Sequence, residues 1–214
     1  TAQQTPEAAH WRDLAETEKA CHALLARVPQ QPQALHLLGL VAMARGEFPK
    51  AEEWLERSAS ARASPEVLVD LAAALTRSWK VDKAVLCCRQ ALSVTPDFAE
   101  AHYNLGTALH WQKHFPEAAE SLREALRLKP DYFPARVNLG RALLAMGEYA
   151  AAQIELDQTL AVNPKHAGSL LFYGIACHEQ GQFDRAVAYY DKAHAERPTA
   201  IDVLGNLANA YPDI

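Results

Sequence analysis

The chain has 214 residues, half of them from the hydrophobic set and 22% charged, with a formal net charge of -5 at pH 7. That balance excludes a disordered tail, a collagen and a charged rod, and 21 basic against 26 acidic residues leaves no excess of cations to neutralise phosphates, so nucleic acid is not an expected partner. Alanine supplies 41 positions while Val, Ile and Thr are sparse, a composition that favours helix over sheet.

The first element expected is a long amphipathic helix over residues 6–29, with Leu14, Cys21, Leu25 and Val28 inward. Glu7, Asp13, Glu16 and Glu18 interrupt this stretch, so it has no signal-peptide core, and no run of 18 apolar residues exists to insert into a membrane. Because the sequence opens at Thr1, it is expected to be a processed or engineered piece. Beyond this helix a repeat governs the chain. Aligned on a Leu-Gly pair, the small residues Gly39, Ala72, Gly106, Gly140, Gly174 and Ala208 follow one another at intervals of 33, 34, 34, 34 and 34. Twelve residues after each of the first five stands an alanine: Ala51, Ala84, Ala118, Ala152 and Ala186. Pro96, Pro130, Pro164 and Pro198 close the repeats, with Pro29 in the equivalent upstream place.

Numbered from its own first residue, the array divides into 32–64, 65–98, 99–132, 133–166 and 167–200, preceded by a partial repeat over 1–31 and followed by a truncated or capping one over 201–214 that is expected to break at Pro212. Positions 4, 7, 8 and 11 share one helical face, as in Leu35, Leu38, Gly39 and Ala42. Positions 17, 20, 24, 27 and 28 make a second apolar stripe, as in Phe115, Ala118, Leu122, Ala125 and Leu126. Gly46, Gly147 and Gly181 at position 15 mark a turn in the left-handed region, where Trp79 and Lys113 stand in the other two repeats. Each repeat is thus a helix hairpin. A small residue at positions 8 and 20 lets the backbones approach, and neighbouring hairpins bury a continuous core. The first full repeat is one residue short near Ala61 to Pro65, which makes its junction less regular.

This pattern resembles the tetratricopeptide repeat, most closely in His102-Tyr-Asn-Leu-Gly106, Ala118, Leu122, Ala125 and Pro130. The resemblance implies an all-α solenoid of stacked antiparallel hairpins wound as a right-handed superhelix, with first-helix positions 2, 5, 6, 9, 12 and 13 lining its inner groove. Position 6 reads Leu37, Asp70, Asn104, Asn138, Phe172 and Asn206. Side-chain amides both donate and accept, so such a ladder suits the backbone of an extended peptide, and it is similar to the groove asparagines of O-GlcNAc transferases. Ordinary consensus of the repeat family accounts for the same asparagines. The carboxylate clamp of chaperone adaptors is absent in this pattern, since position 5 holds His36, Val69, Tyr103, Val137 and Leu171 and no lysine.

The expected peptide-binding set is therefore Asp70, Tyr103, Asn104, Thr107, His110, Trp111, Asn138, Arg141 and Asn206. Trp79, Trp111 and Lys113 form a second candidate contact patch. His110 and His114 are four apart but lack further ligands at suitable spacing, and Cys88 and Cys177 fall on core positions, so neither a metal nor a cofactor is expected. Glu52, Glu53 and Glu56 read as a solvated outer face. Four cysteines without a pairing pattern suit a reducing, cytoplasmic setting, and are also compatible with a periplasmic one. With no phosphate loop or nucleophile motif, the first functional reading is a non-catalytic scaffold that binds a peptide or helix of a protein partner in the groove. Two others remain open: the substrate-recognition part of a larger enzyme such as a glycosyltransferase, and self-assembly through uncapped end helices, giving an end-to-end homo-oligomer.

Overall fold

The computed structural model describes residues 6–210, with side chains from residue 13 onward. Among the described residues the regular elements are twelve helices and no strand: α1 (Pro6–Arg27), α2 (Pro32–Ala44), α3 (Phe48–Ala61), α4 (Pro65–Arg77), α5 (Val81–Val94), α6 (Ala99–Trp111), α7 (Phe115–Leu128), α8 (Phe133–Ala145), α9 (Tyr149–Val162), α10 (Ala167–Glu179), α11 (Phe183–Glu196) and α12 (Ile201–Ala210). The expected break at Pro212 lies outside the described residues. The chain divides into two compact halves, residues 1–108 and 109–214, the division falling inside α6.

Local chemistry sets the helix ends. Proline occupies the first turn of α2, α3, α4, α7 and α8, where its missing N–H costs nothing. Side chains of Gln31, Ser64 and His166 accept from backbone N–H groups at the starts of α2, α4 and α10. The turns inside the hairpins share one hydrogen-bond scheme. The N–H of Glu47 donates to Ala42 O and that of Gly46 to Met43 O, and the equivalents of the former recur from Lys80 to Leu75 O, His114 to Leu109 O, Glu148 to Leu143 O and Gln182 to Cys177 O. This is the Schellman closure, which requires a left-handed residue. Gly46, Gly147 and Gly181 take it at φ 74°, 76° and 71°, and Trp79 and Lys113 take the same conformation at 61° and 63°. A side chain with a Cβ is disfavoured there by about 1 kcal/mol, so those two turns form against a local preference.

Within a hairpin, positions 8 and 24 meet in close contact. A methyl added to Gly39 would meet Leu55 Cγ at 2.5 Å; one on Gly140 would meet Leu156 Cγ at 2.9 Å, and one on Gly174 would meet Tyr190 Cε1 at 2.5 Å. The repeat that carries Ala72 at position 8 has Cys88 at position 24, a smaller side chain, and both are fully buried. Volume removed from one helix is thus restored on the other.

In the N-terminal half Cys21 and Leu25 of α1 pack with Ala34, Leu35 and Leu38 of α2 and with Trp54 of α3. Val28 does not join them: α1 ends at Arg27, the helical periodicity ends with it, and Val28 is 49% exposed. Leu14 is half-buried. A further cluster joins Leu68, Val69, Ala91 and Ala101 with Phe98. In the C-terminal half Leu156, Leu170, Tyr173, Cys177, Tyr190 and Val203 belong to one core spanning α9 to α12. Each fully buried aliphatic side chain contributes about 1.5–3 kcal/mol, so stability is spread over neighbouring hairpins.

The outer-face reading of Glu52 needs correction. Glu53 and Glu56 sit at the surface, but Glu52 is only 7% exposed, and its Oε1 accepts from Lys80 Nζ at 2.6 Å, tying α3 to the start of α5. No helix among the described residues is long and apolar enough to cross a membrane.

Candidate protein-interaction surface

In the N-terminal half two of the first-helix residues singled out by sequence, Asp70 and Asn104, are each tied to the preceding repeat. His36 Nε2 lies 2.7 Å from Asp70 Oδ2. An ionised carboxylate only accepts, so Nε2 carries the proton of that bond. Asn104 Nδ2 donates to the Val69 carbonyl at 3.0 Å. Both contacts run between position 5 of one repeat and position 6 of the next. Thr107 turns its hydroxyl back to the Tyr103 carbonyl one turn earlier, at 2.9 Å. Asp70, Tyr103, Asn104 and Thr107 are all half-buried. One donor of the Asn104 amide is therefore committed to registering α6 on α4. On α2, Leu37 and Leu40 are exposed one turn apart, an apolar pair on the groove-lining positions. Trp79, at its turn, is 71% exposed.

In the C-terminal half His110, Trp111 and Arg141 meet. The Arg141 guanidinium carbon stands 5.3 Å from the Trp111 ring centroid, within cation–π range. His110 stands edge-on to Trp111 with centroids 6.1 Å apart and tilts onto Phe115 at 5.2 Å. Burial, and then the positive charge of Arg141, push the His110 pKa down to about 4, so the ring is neutral at neutral pH. Its Nδ1 is buried without a hydrogen-bond partner. Trp111 remains 44% exposed. Asn138 on α8 lies one turn before Arg141 and is half-buried. On α12 Asn206 Nδ2 donates to its own helix at Asp202 O, 2.7 Å away, which commits one donor of its amide. Lys113 is exposed at its turn.

A second aromatic group in the same half escaped sequence reasoning. Tyr173 and Tyr189 stack with centroids 4.3 Å apart, and Lys192 Nζ stands 4.9 Å above the Tyr189 ring. Burial, followed by Asp157, pushes the Tyr173 phenol up to about 12, so it stays a protonated donor. Positions 7 and 23 carry these rings, Tyr173 within the core and Tyr189 at its margin, and a stacked pair between those positions has no signature in a single sequence. Among the described residues no group of three or more His, Cys, Asp or Glu side chains converges on a common point. All four cysteines are free thiols, and burial pushes the Cys88 thiol up to about 12, which makes it inert as a nucleophile at neutral pH.

Comparison with known proteins places these features in context. Two segments, residues 5–66 and 137–201, together more than half of the chain, match a tetratricopeptide repeat family profile, and residues 99–132 match a second profile of the same description. Comparison with curated protein sequences gives no match. Among solved structures the fold is similar to TTC0263, a thermophilic TPR protein of Thermus thermophilus, at 23% identity and a TM-score of 0.68, with 85% of this chain and 99% of that one covered. PilF of Pseudomonas aeruginosa superposes at a TM-score of 0.70 and 24% identity, covering 85% of each chain. YrrB, described as a TPR protein with an unusual peptide-binding site, does so at 0.67 and 16%, covering 88% of this chain and 97% of that one. At these identities the likeness concerns the fold.

Proposed function

Because the chain belongs to the tetratricopeptide repeat family, we propose that it is a non-catalytic scaffold holding a segment of a partner protein against the face presented by its first helices. Proteins of this family are generally non-catalytic, and the peptide-binding site described for YrrB lends the reading support from a chain of similar fold. The observation that carries it is the Trp111–Arg141 pair. A half-exposed indole is held by a guanidinium and backed by the neutral His110 ring, so its orientation is set before a partner arrives. Preorganised Trp and Arg side chains are the residues that most often dominate binding energy. Asn138, one turn away on α8, supplies an amide for the backbone of the bound segment. In the N-terminal half Asp70, Asn104 and Thr107 shape their own part of the first-helix face through internal bonds.

The test is selection of binding peptides from a displayed random library on the wild-type chain, followed by titration of an enriched peptide against Trp111→Ala/Arg141→Ala. The double variant is expected to bind at least tenfold more weakly, about 1.4 kcal/mol, with helicity unchanged. Equal affinity sinks the assignment.

A second reading, self-association, is favoured by α12. Its Ile201 is 85% and its Leu204 44% exposed, and Ala208 is exposed as well. Leu24 on α1 is 40% exposed and offers a second copy an apolar contact. Sedimentation with a mass independent of concentration up to the millimolar range excludes it.

A further inference from the structure

The junction between the first two full repeats is built differently from the others, and the difference leaves a cavity. Three residues, Arg62, Ala63 and Ser64, connect α3 to α4, whereas four residues connect each later hairpin to the next. In three of those later connectors the last residue is a ring: Phe98, Tyr132 or His166. The His166 corner shows what the ring does. It packs edge-on against Phe133 with centroids 4.9 Å apart, and its Nδ1 lies 2.8 Å from Ser169 Oγ, which in turn lies 2.7 Å from Thr159 Oγ1. The ring pair and the two hydroxyls fill the space between the end of one hairpin and the start of the next.

In the short junction each of those places holds something smaller or differently shaped. Pro32 stands where Phe133 does, Ser64 where His166 does, Ser58 where Thr159 does, and Val67 where Ser169 does. The space is not filled from elsewhere: a cavity of about 230 Å³, open on one side, is lined by Pro32, His36, Ser58, Arg62, Ser64 and Glu66, among others. Its polar walls are largely satisfied from within. Ser58 Oγ donates to the Pro32 carbonyl at 3.0 Å, Ser64 Oγ accepts from Val67 N, and His36 is bound to Asp70. The Glu66 carboxyl is held below the usual range first by the Ser64 side chain. Arg62 is different, being exposed at the rim with its guanidinium in no hydrogen bond or ion pair among the described residues.

We propose that this corner is a second partner-binding pocket, which takes one aromatic side chain of a partner polypeptide and pairs Arg62 with a carboxylate next to that ring. The ring would occupy the place that the chain's own connector ring takes at the other junctions, with Pro32 as its floor. Flat apolar rings give large contact area at low entropic cost, and an arginine at the rim selects a neighbouring acid. The pocket lies wholly in the N-terminal half and shares no residue with the Trp111–Arg141 pair, so it stands independently of the function proposed above.

The probes are two synthetic peptides, acetyl-Glu-Trp-Glu-amide and acetyl-Glu-Ala-Glu-amide, titrated into the isotope-labelled full chain and followed by backbone amide shifts. The tryptophan peptide is expected to move Gln33, Ser64 and Val67 saturably, and the alanine peptide to bind at least tenfold more weakly. Ser64→Phe restores a ring to the connector, as at Phe98, and is expected to abolish saturation. Arg62→Gln is expected to weaken binding severalfold and to remove its salt dependence, and it decides the matter should Ser64→Phe disturb folding. Titration of Ser64→Phe or Arg62→Gln identical to wild type, equal binding of both peptides, or shifts confined to other residues each overturn the proposal.

Discussion

Replacing Gly174 by alanine sets two opposed effects against each other within one hairpin. A glycine-to-alanine change inside an exposed helix stabilises it by about 1 kcal/mol through helix propensity. Here the new methyl would lie 2.5 Å from Tyr190 Cε1, 2.6 Å from Cδ1 and 3.3 Å from the Ala186 carbonyl oxygen, against a comfortable separation of about 3.5–4.0 Å. Tyr190 is 1% exposed and its ring is rigid, so relief requires α10 and α11 to separate. Overpacking of this kind costs about 1–3 kcal/mol, and with the propensity gain subtracted the net loss is about 0–2 kcal/mol. Gly140→Ala should cost less, because the nearest atoms of Leu156 stand at 2.9 and 3.0 Å and a leucine can change rotamer.

The assay is amide hydrogen exchange on α10 and α11 beside urea unfolding, since an array of this kind opens locally as well as globally. Alanine at Gly174 raising protection by the full propensity gain would show that the close approach is not what holds glycine there. The reciprocal experiment uses the natural exception: Cys88→Leu should destabilise by about 1–3 kcal/mol, and Ala72→Gly should cost less in the Cys88→Leu chain than in the wild type, by a coupling of about 1 kcal/mol or more.

Trp79→Gly and Lys113→Gly should each stabilise the chain by about 1 kcal/mol in urea unfolding, because both residues sit in the left-handed region at φ 61° and 63°. Asn104→Ala removes a second hydrogen bond to the Val69 carbonyl, which keeps its own helical donor, and should cost about 0.5–1.5 kcal/mol, seen as faster exchange in α4 and α6. His110 resists protonation until about pH 4 in the folded chain but takes a proton near 6.5 once unfolded. The unfolded state therefore binds more protons between those values, and stability present above pH 6.5 should fall as the pH drops towards 4. His110→Gln should flatten that part of a melting-temperature profile, and an unaltered slope would assign it to other groups.

The hairpin array is readable from sequence because its determinants are local and repeated: a small residue at 8, an alanine at 20, and a turn residue at 15 recur in five copies. The site is less so. The position-6 residues look like outward ligands in a helical projection, yet Asn104 spends a donor on a carbonyl 35 residues earlier and Asn206 on its own helix, partners that no periodicity reveals. Glu52 did carry a signal. Its register position holds Val85 and Ala119 in the next two repeats, and both are buried, so the column was apolar while the single residue looked solvated. The missing residue before Pro65 is visible in the alignment, but the cavity it opens depends on which side chains converge there.

The contact between positions 8 and 24 lies inside one hairpin, and it bears on how such an array can be rearranged. A crossover at a connector such as Lys129–Tyr132 moves both members together and keeps their fit. A crossover at an inner turn such as Gly147 separates them and can set an alanine against a tyrosine. Whole hairpins are thus the exchangeable cassettes of this chain, single helices are not, and any shuffled library built from it should show viable breakpoints spaced by the full 34 residues.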